Sequence, residues 1–167
     1  MTITIGELNS LDCARFVDAL RWVFEDSPWV AERTWSARPF ASVEALHVAM
    51  IGQLVHAESE EQLALLRAHP DLGTRARMSR ASTDEQAGAG LDHLTPHEFE
   101  LLQQLNSAYR NKFGFPFLFA VKGTTKHDVL RALEKRLDAS PAEEYKEALR
   151  QVHRIARFRL LETIQEG

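Results

Sequence analysis

The chain has 167 residues, 44% of them hydrophobic and 26% charged, with a net charge of -4. That length holds one domain's worth of core without metal or disulfide support, and a single cysteine, Cys13, excludes an internal disulfide and a cysteine-rich zinc site. The acidic balance argues against a general nucleic-acid binder, no apolar run reaches the roughly 20 residues that cross a bilayer, and the N-terminus lacks a signal-peptide pattern, so a single cytoplasmic domain over residues 1–167 is expected.

Helix starts then follow one another along the chain. Ser10 precedes a stretch whose Phe16, Val17, Leu20, Val23 and Phe24 share a helical face. Ser27-Pro28 opens a short helix, and Ser42 precedes Val43, Leu46, Met50, Ile51 and Leu54 at helical spacing. Ser59-Glu60-Glu61-Gln62 reads as a capping box for a helix that runs to His69. Pro70 stops that helix, because a proline ring pushes its predecessor towards extended geometry. Ser82-Thr83-Asp84-Glu85 reads as another capping box, opening a helix weakened by Gly88 and Gly90. Thr95-Pro96-His97-Glu98 starts a helix running to Phe113, with Gly114 as its stop. Ser140-Pro141-Ala142-Glu143 opens the longest one, striped by Tyr145, Ala148, Leu149, Val152, Ile155, Ala156 and Leu160. Only residues 115–121 resemble a strand; a lone strand has no sheet to join, so they read as an extended segment buried between helices. The expected fold is all-α, a single-domain multi-helix bundle of about eight helices.

Three residues in this pattern point to chemistry. His69 sits at the negative end of its helix, where the dipole favours an imidazolium, and that suits a general acid. On a helical wheel from Tyr145, Arg159 falls at about 320°, inside the apolar stripe, whereas Arg150, Arg154 and Arg157 fall at about 120° to 180° on the opposite face. A buried guanidinium requires an anion, supplied either by a buried Asp or Glu or by an anionic substrate. Glu85 either caps its own helix or joins Gln86 around an oxygen-rich ligand at a helix N-terminus.

The remaining signals are weaker. Trp22, Trp29 and Trp35 read as core anchors. Arg75, Arg77 and Arg80 lie between His69 and Glu85, either solvated or steering an anionic substrate. His93 and His97 straddle a helix start, HEFEL at 97–101 lacks the second histidine of a zinc-protease motif, and no phosphate loop occurs, so no metal site is indicated. The residues alone give a helical pocket for an anion with one acid/base histidine. A non-catalytic all-α protein-interaction module would explain the caps and amphipathic helices equally well.

WSARPF at 35–40, HPDLG at 69–73, STDEQAGAGLDHL at 82–94, LNSAYRNKFGFPFLFAVKG at 105–123 and IARFRL at 155–160 follow one another along nearly the whole chain. Together these motifs resemble the 2-oxo-4-hydroxy-4-carboxy-5-ureidoimidazoline (OHCU) decarboxylase family. The resemblance implies an all-helical, usually homodimeric carboxy-lyase that turns OHCU into (S)-allantoin and carbon dioxide in urate breakdown. It implies no metal or organic cofactor, and a functional link to uricase and hydroxyisourate hydrolase. Motif by motif, it makes His69 the catalytic acid and Glu85 its catalytic partner, with Pro70 bordering the substrate. Ser82, Thr83, Asp84, Glu85 and Gln86 would line the substrate; Phe117, Leu118, Phe119, Ala120 and Val121 would contact it largely through their backbone; Arg159 would grip it. The segment 73–81 looks shorter than in animal relatives, so Arg75 and Arg77 receive no assignment.

Overall fold

The structure, a computed structural model, describes residues 2–74 and 78–167, so Arg75 and Arg77 lie outside the described residues. In chain order the elements are β1 (Ile3–Thr4), α1 (Ile5–Asn9), α2 (Cys13–Leu20), α3 (Trp29–Thr34), a 3-10 turn at Trp35–Ala37, α4 (Val43–Val55), α5 (Ser59–Arg67), α6 (Arg80–Gly88), α7 (Pro96–Phe113), α8 (Lys126–Arg136), α9 (Pro141–Thr163) and β2 (Ile164–Gln165). Among the described residues the fold is all-α apart from one small parallel pairing, Ile3 with Ile164 and Thr4 with Gln165. Two residues per strand are too few to display an alternating pattern, and the sequence reading missed them. The chain forms two compact units, Met1–Leu65 with His153–Gly167, and Leu66–Val152.

In the first unit, α3 packs on α2 and α4, around Phe16, Leu20, Leu46 and Met50. Ser42 caps α4 as expected, its hydroxyl accepting from Ala45 N at 3.0 Å. Ser10 does not open a helix. It closes α1, its N–H and hydroxyl both bonding Glu7 O, while Asp12 caps α2 through Arg15 N at 2.9 Å. A carboxylate closer to the first apolar turn takes the cap that the serine was expected to hold. Because α2 ends at Leu20, Val23 and Phe24 are buried from an irregular stretch beyond it rather than from a helix face. The three tryptophans are half-buried rather than sunk in the core. Trp29 and Trp35 carry the Arg33 and Arg38 guanidinium groups over their rings at 4.5 and 4.2 Å.

In the second unit, α7 packs on α8, with Leu102, Tyr109, Val129 and Leu133 buried. The two reciprocal bonds of the Thr95–Glu98 capping box start α7, and Gly114 at φ 80° ends it, as its sequence predicts. Ser140 and Glu143 exchange the same pair of bonds at the head of α9. α8, which the helix starts read from the sequence do not include, opens on a capping box formed by Thr125 and Asp128. Residues 115–121 belong to neither helix nor strand, and all but Phe119 are buried.

Candidate active site

α5 ends at Arg67, two residues before His69, whose N–H still bonds Leu66 O at 3.3 Å. His69 thus occupies a turn closed off by Pro70, and it is buried. The residues after it are fixed one by one. Asp71 Oδ1 accepts from Arg110 NH2 at 2.7 Å, Leu72 O from Asn106 Nδ2 at 2.9 Å, and Gly73 N donates to Gln86 Oε1 at 2.8 Å. Gly73 has φ 70°, and a Cβ there would stand 2.4 Å from Leu102 Cδ2, so only glycine fits. Side chains from α6 and α7 therefore tie down Asp71, Leu72 and Gly73, the residues that follow Pro70.

α6 begins earlier than expected. Ser79 is the cap, with extended backbone, its hydroxyl accepting from Ser82 N at 3.2 Å and its carbonyl from Thr83 N and Thr83 Oγ1, both at 2.9 Å. The capping box read at Ser82 is displaced because Ser79 already supplies the acceptor that the Ser82 amide needs. Ser82, Thr83, Asp84, Glu85 and Gln86 consequently lie inside a helix, and its periodicity separates them. Ser82 and Gln86, one turn apart, are buried, and Glu85 beside them is half-buried. Thr83 and Asp84 expose their side chains, Asp84 lying 3.8 Å from Arg80 across the solvated face. Gln86 also ties α6 to the loop after His69 through Gly73.

The 117–121 segment is held from a different direction. Arg136 NH1 donates to Leu118 O at 2.5 Å, and Gln151 Oε1 accepts from Ala120 N at 2.9 Å. The Arg136 guanidinium lies over the Phe117 ring, 4.5 Å from its centroid, and its Nε donates to Glu144 Oε1 at 2.6 Å. Glu144 is buried and also accepts from the Tyr109 hydroxyl at 2.5 Å. Burial, reinforced by that hydrogen bond, pushes the Tyr109 phenol well above its ordinary pKa, so it remains a donor.

In the first unit Arg159 is 1% exposed, whereas Arg150, Arg154 and Arg157 are exposed, as the helical wheel predicts. Its NH2 meets Glu25 Oε1 at 3.0 Å, and its NH1 donates to Trp22 O and Val23 O at 3.2 and 3.3 Å. Of the two anions left open by the sequence, the structure supplies a protein carboxylate, and Glu25 is itself buried. Glu25, Asn106, Arg110, Arg136, Glu144 and Gln151 were not singled out from sequence. Asn106 and Arg110 do stand inside the LNSAYRNKF motif.

Among the described residues, no helix is long and apolar enough to cross a membrane, and no three His, Cys, Asp or Glu side chains group as metal ligands would. A family model described as OHCU decarboxylase matches residues 9–161. The chain is 49% identical over 160 residues to the 2-oxo-4-hydroxy-4-carboxy-5-ureidoimidazoline decarboxylase of Halalkalicoccus jeotgali, covering 96% of this chain and 91% of that protein. It is 45% identical over 163 residues to the uric acid degradation bifunctional protein PucL of Bacillus subtilis, covering 98% of this chain and 33% of that one. The crystal structure of an (S)-allantoin synthase superposes with a TM-score of 0.78 at 34% identity, covering 97% of this chain. This chain spans 54%, about half, of that solved one.

Proposed function

We propose that this chain, which belongs to the OHCU decarboxylase family, catalyses the decarboxylation of 2-oxo-4-hydroxy-4-carboxy-5-ureidoimidazoline to allantoin in urate degradation. The observation that carries this reading is the family match across residues 9–161, joined by a relative of nearly equal length that bears the activity in its name.

The reaction asks little of a protein beyond orientation and proton delivery. Loss of carbon dioxide breaks the bond from the hydroxyl-bearing ring carbon and leaves an electron pair there, which enzymes usually pass to a cofactor sink. OHCU carries its own sink, since the neighbouring ureido-bearing carbon is part of a C=N bond. The pair closes a C=C bond, the ring nitrogen takes up a proton, and an enol-like intermediate results. The enol hydroxyl then gives up its proton to become a carbonyl while the ureido-bearing ring carbon gains one. The face of that last delivery sets the (S) hand.

His69 is the proposed catalytic acid, orienting the carboxylate by a charged hydrogen bond and then delivering the proton to one face. Its burial at a tethered turn supports this role, because an acid must be aimed to be selective. Glu85 is the proposed partner that engages the ring hydroxyl or ureido nitrogens. Pro70, Ser82, Thr83, Asp84 and Gln86 would line the substrate, the 117–121 backbone would contact it, and the resemblance assigns its carbonyl oxygens to Arg159. A homodimer in the cytoplasm is inferred with the activity.

The test supplies urate, uricase and hydroxyisourate hydrolase, and follows circular dichroism with and without this protein. Rapid growth of the (S)-allantoin signal is expected from the wild type, and His69→Asn should return both rate and hand to the spontaneous, racemic course. Undiminished (S)-selectivity in His69→Asn would remove the histidine from its role, and no acceleration by the wild type would end the reading altogether.

A further inference from the structure

Arg136, Glu144, Tyr109 and Gln151 have no part in the chemistry above, yet Arg136 and Gln151 bond one stretch of backbone and Glu144 and Tyr109 stand behind Arg136. Leu118 O is bonded by Arg136 and Ala120 N by Gln151, so the peptide groups on either side of Phe119 are both anchored by side chains. Phe119 is the one residue of 117–121 that is only half-buried. Gln151 is steadied in turn by Glu147, which accepts from its Nε2 at 2.8 Å. Arg136 is steadied by Glu144 and by the Phe117 ring beneath it, and Glu144 by the Tyr109 hydroxyl. The Tyr109 ring meets Phe115 and Phe117 edge-on, at 6.0 and 5.4 Å between centroids.

This is more than core packing requires. One buried carbonyl needs one donor, and a hydroxyl or amide would serve; a guanidinium brings a charge that needs a buried carboxylate, which needs further donors of its own. A polar network satisfied at this many points holds one geometry against small displacements, as a site for a rigid, polar substrate demands. We propose that Arg136, with Glu144 and Gln151, is a positioning residue for the decarboxylation, locking the backbone of 117–121 in the form that receives OHCU. The proposal rests on the reading that this segment contacts the substrate.

Arg136→Lys keeps a cation beside Glu144 and loses the planar fork that reaches both Glu144 and Leu118 O. Loss of positioning raises KM for OHCU by about tenfold with kcat within about threefold, whereas a merely structural role lowers the amount of folded enzyme, and so the apparent kcat, with KM unchanged. Gln151→Met removes the acceptor for Ala120 N together with the donor to Glu147, and should move KM in the same direction; it carries the test if Arg136→Lys does not fold. A folded variant of either kind with wild-type KM, beside an active wild type, overturns the clamp alone. A wild type that does not accelerate OHCU decay overturns the functional reading and the clamp with it.

Discussion

Arg159 and Arg136 perform the same physical task in different regions of the molecule. Each is an arginine paired with a buried glutamate, Glu25 in one case and Glu144 in the other, and each donates to a stretch that is neither helix nor strand, Arg159 to two carbonyls and Arg136 to one. Buried carbonyls outside regular structure must find donors elsewhere, and one guanidinium carries five. The settings differ. Arg159 stands within α9, ahead of its last turn, in an apolar stripe with 2% of its side chain exposed, while Arg136 ends its helix, stacked on Phe117 with 12% exposed. Position along the helix decides how visible each is from sequence: a charge inside a stripe is conspicuous, and a basic residue in a last helical turn looks like ordinary dipole complementation.

The first way to break the comparison is to delete both cations. Arg159→Met takes the charge from beside buried Glu25 and should lower unfolding stability by about 3–5 kcal/mol, the cost of breaking a buried pair. Arg136→Met should lose less, on the order of 2 kcal/mol, because Glu144 keeps the Tyr109 hydroxyl and Arg136 is nearer to water. Urea denaturation of the two variants decides. A loss at Arg136 equal to or above that at Arg159 would mean that helix position and exposure do not rank the two pairs.

A finer change separates the two glutamates. Tyr109→Phe removes one donor from Glu144 while leaving the ring contacts with Phe115 and Phe117 in place, so a loss of about 1–2 kcal/mol is expected. The variant should bring no change in the hand of the product. A neutral Tyr109→Phe would show that Arg136 alone satisfies Glu144, making the two pairs more alike than their surroundings suggest.

Much of the frame was legible because its signals are local. Caps at Ser42, Thr95 and Ser140 need only a hydroxyl and an amide three residues on, and the wheel position of Arg159 needs only one helix. Ser10 and Ser82 misled for the same reason: Asp12 and Ser79 were rival acceptors within three residues, and proximity alone does not choose between rivals. α8 lacked an assigned start because its box closes with Asp128 rather than the Glu or Gln of the usual pattern. What stayed hidden was pairing across distance. Gln86 to Gly73 spans 13 residues, Arg136 to Leu118 18, Gln151 to Ala120 31 and Arg159 to Glu25 134, and no periodicity encodes which partners meet.

The smallest expected effect supplies the baseline for both buried pairs. Glu98 bonds Lys126 Nζ at 2.7 Å and reaches back to the Thr95 N–H, so its carboxyl is held down to about 2 from an ordinary 4.5, first by Lys126 and then by the Thr95 amide. A carboxylate whose pKa falls on folding stabilises the fold fully above its unfolded value and loses that contribution as the pH drops through the folded one. The window therefore runs from about pH 4.5 down to about pH 2. Comparing urea midpoints of wild type and Glu98→Gln should give a gap that is constant from neutral pH to about 5, narrows below that, and closes near pH 2. Added salt should shrink the gap at neutral pH, since a pair within reach of water is screened. The penalty in Arg159→Met should resist salt because both side chains of its pair are buried in the enzyme without substrate. If salt reduced both penalties alike, the partition between buried clamps and surface pairs would not hold, and the Glu25 pair would have to be read as reachable by water.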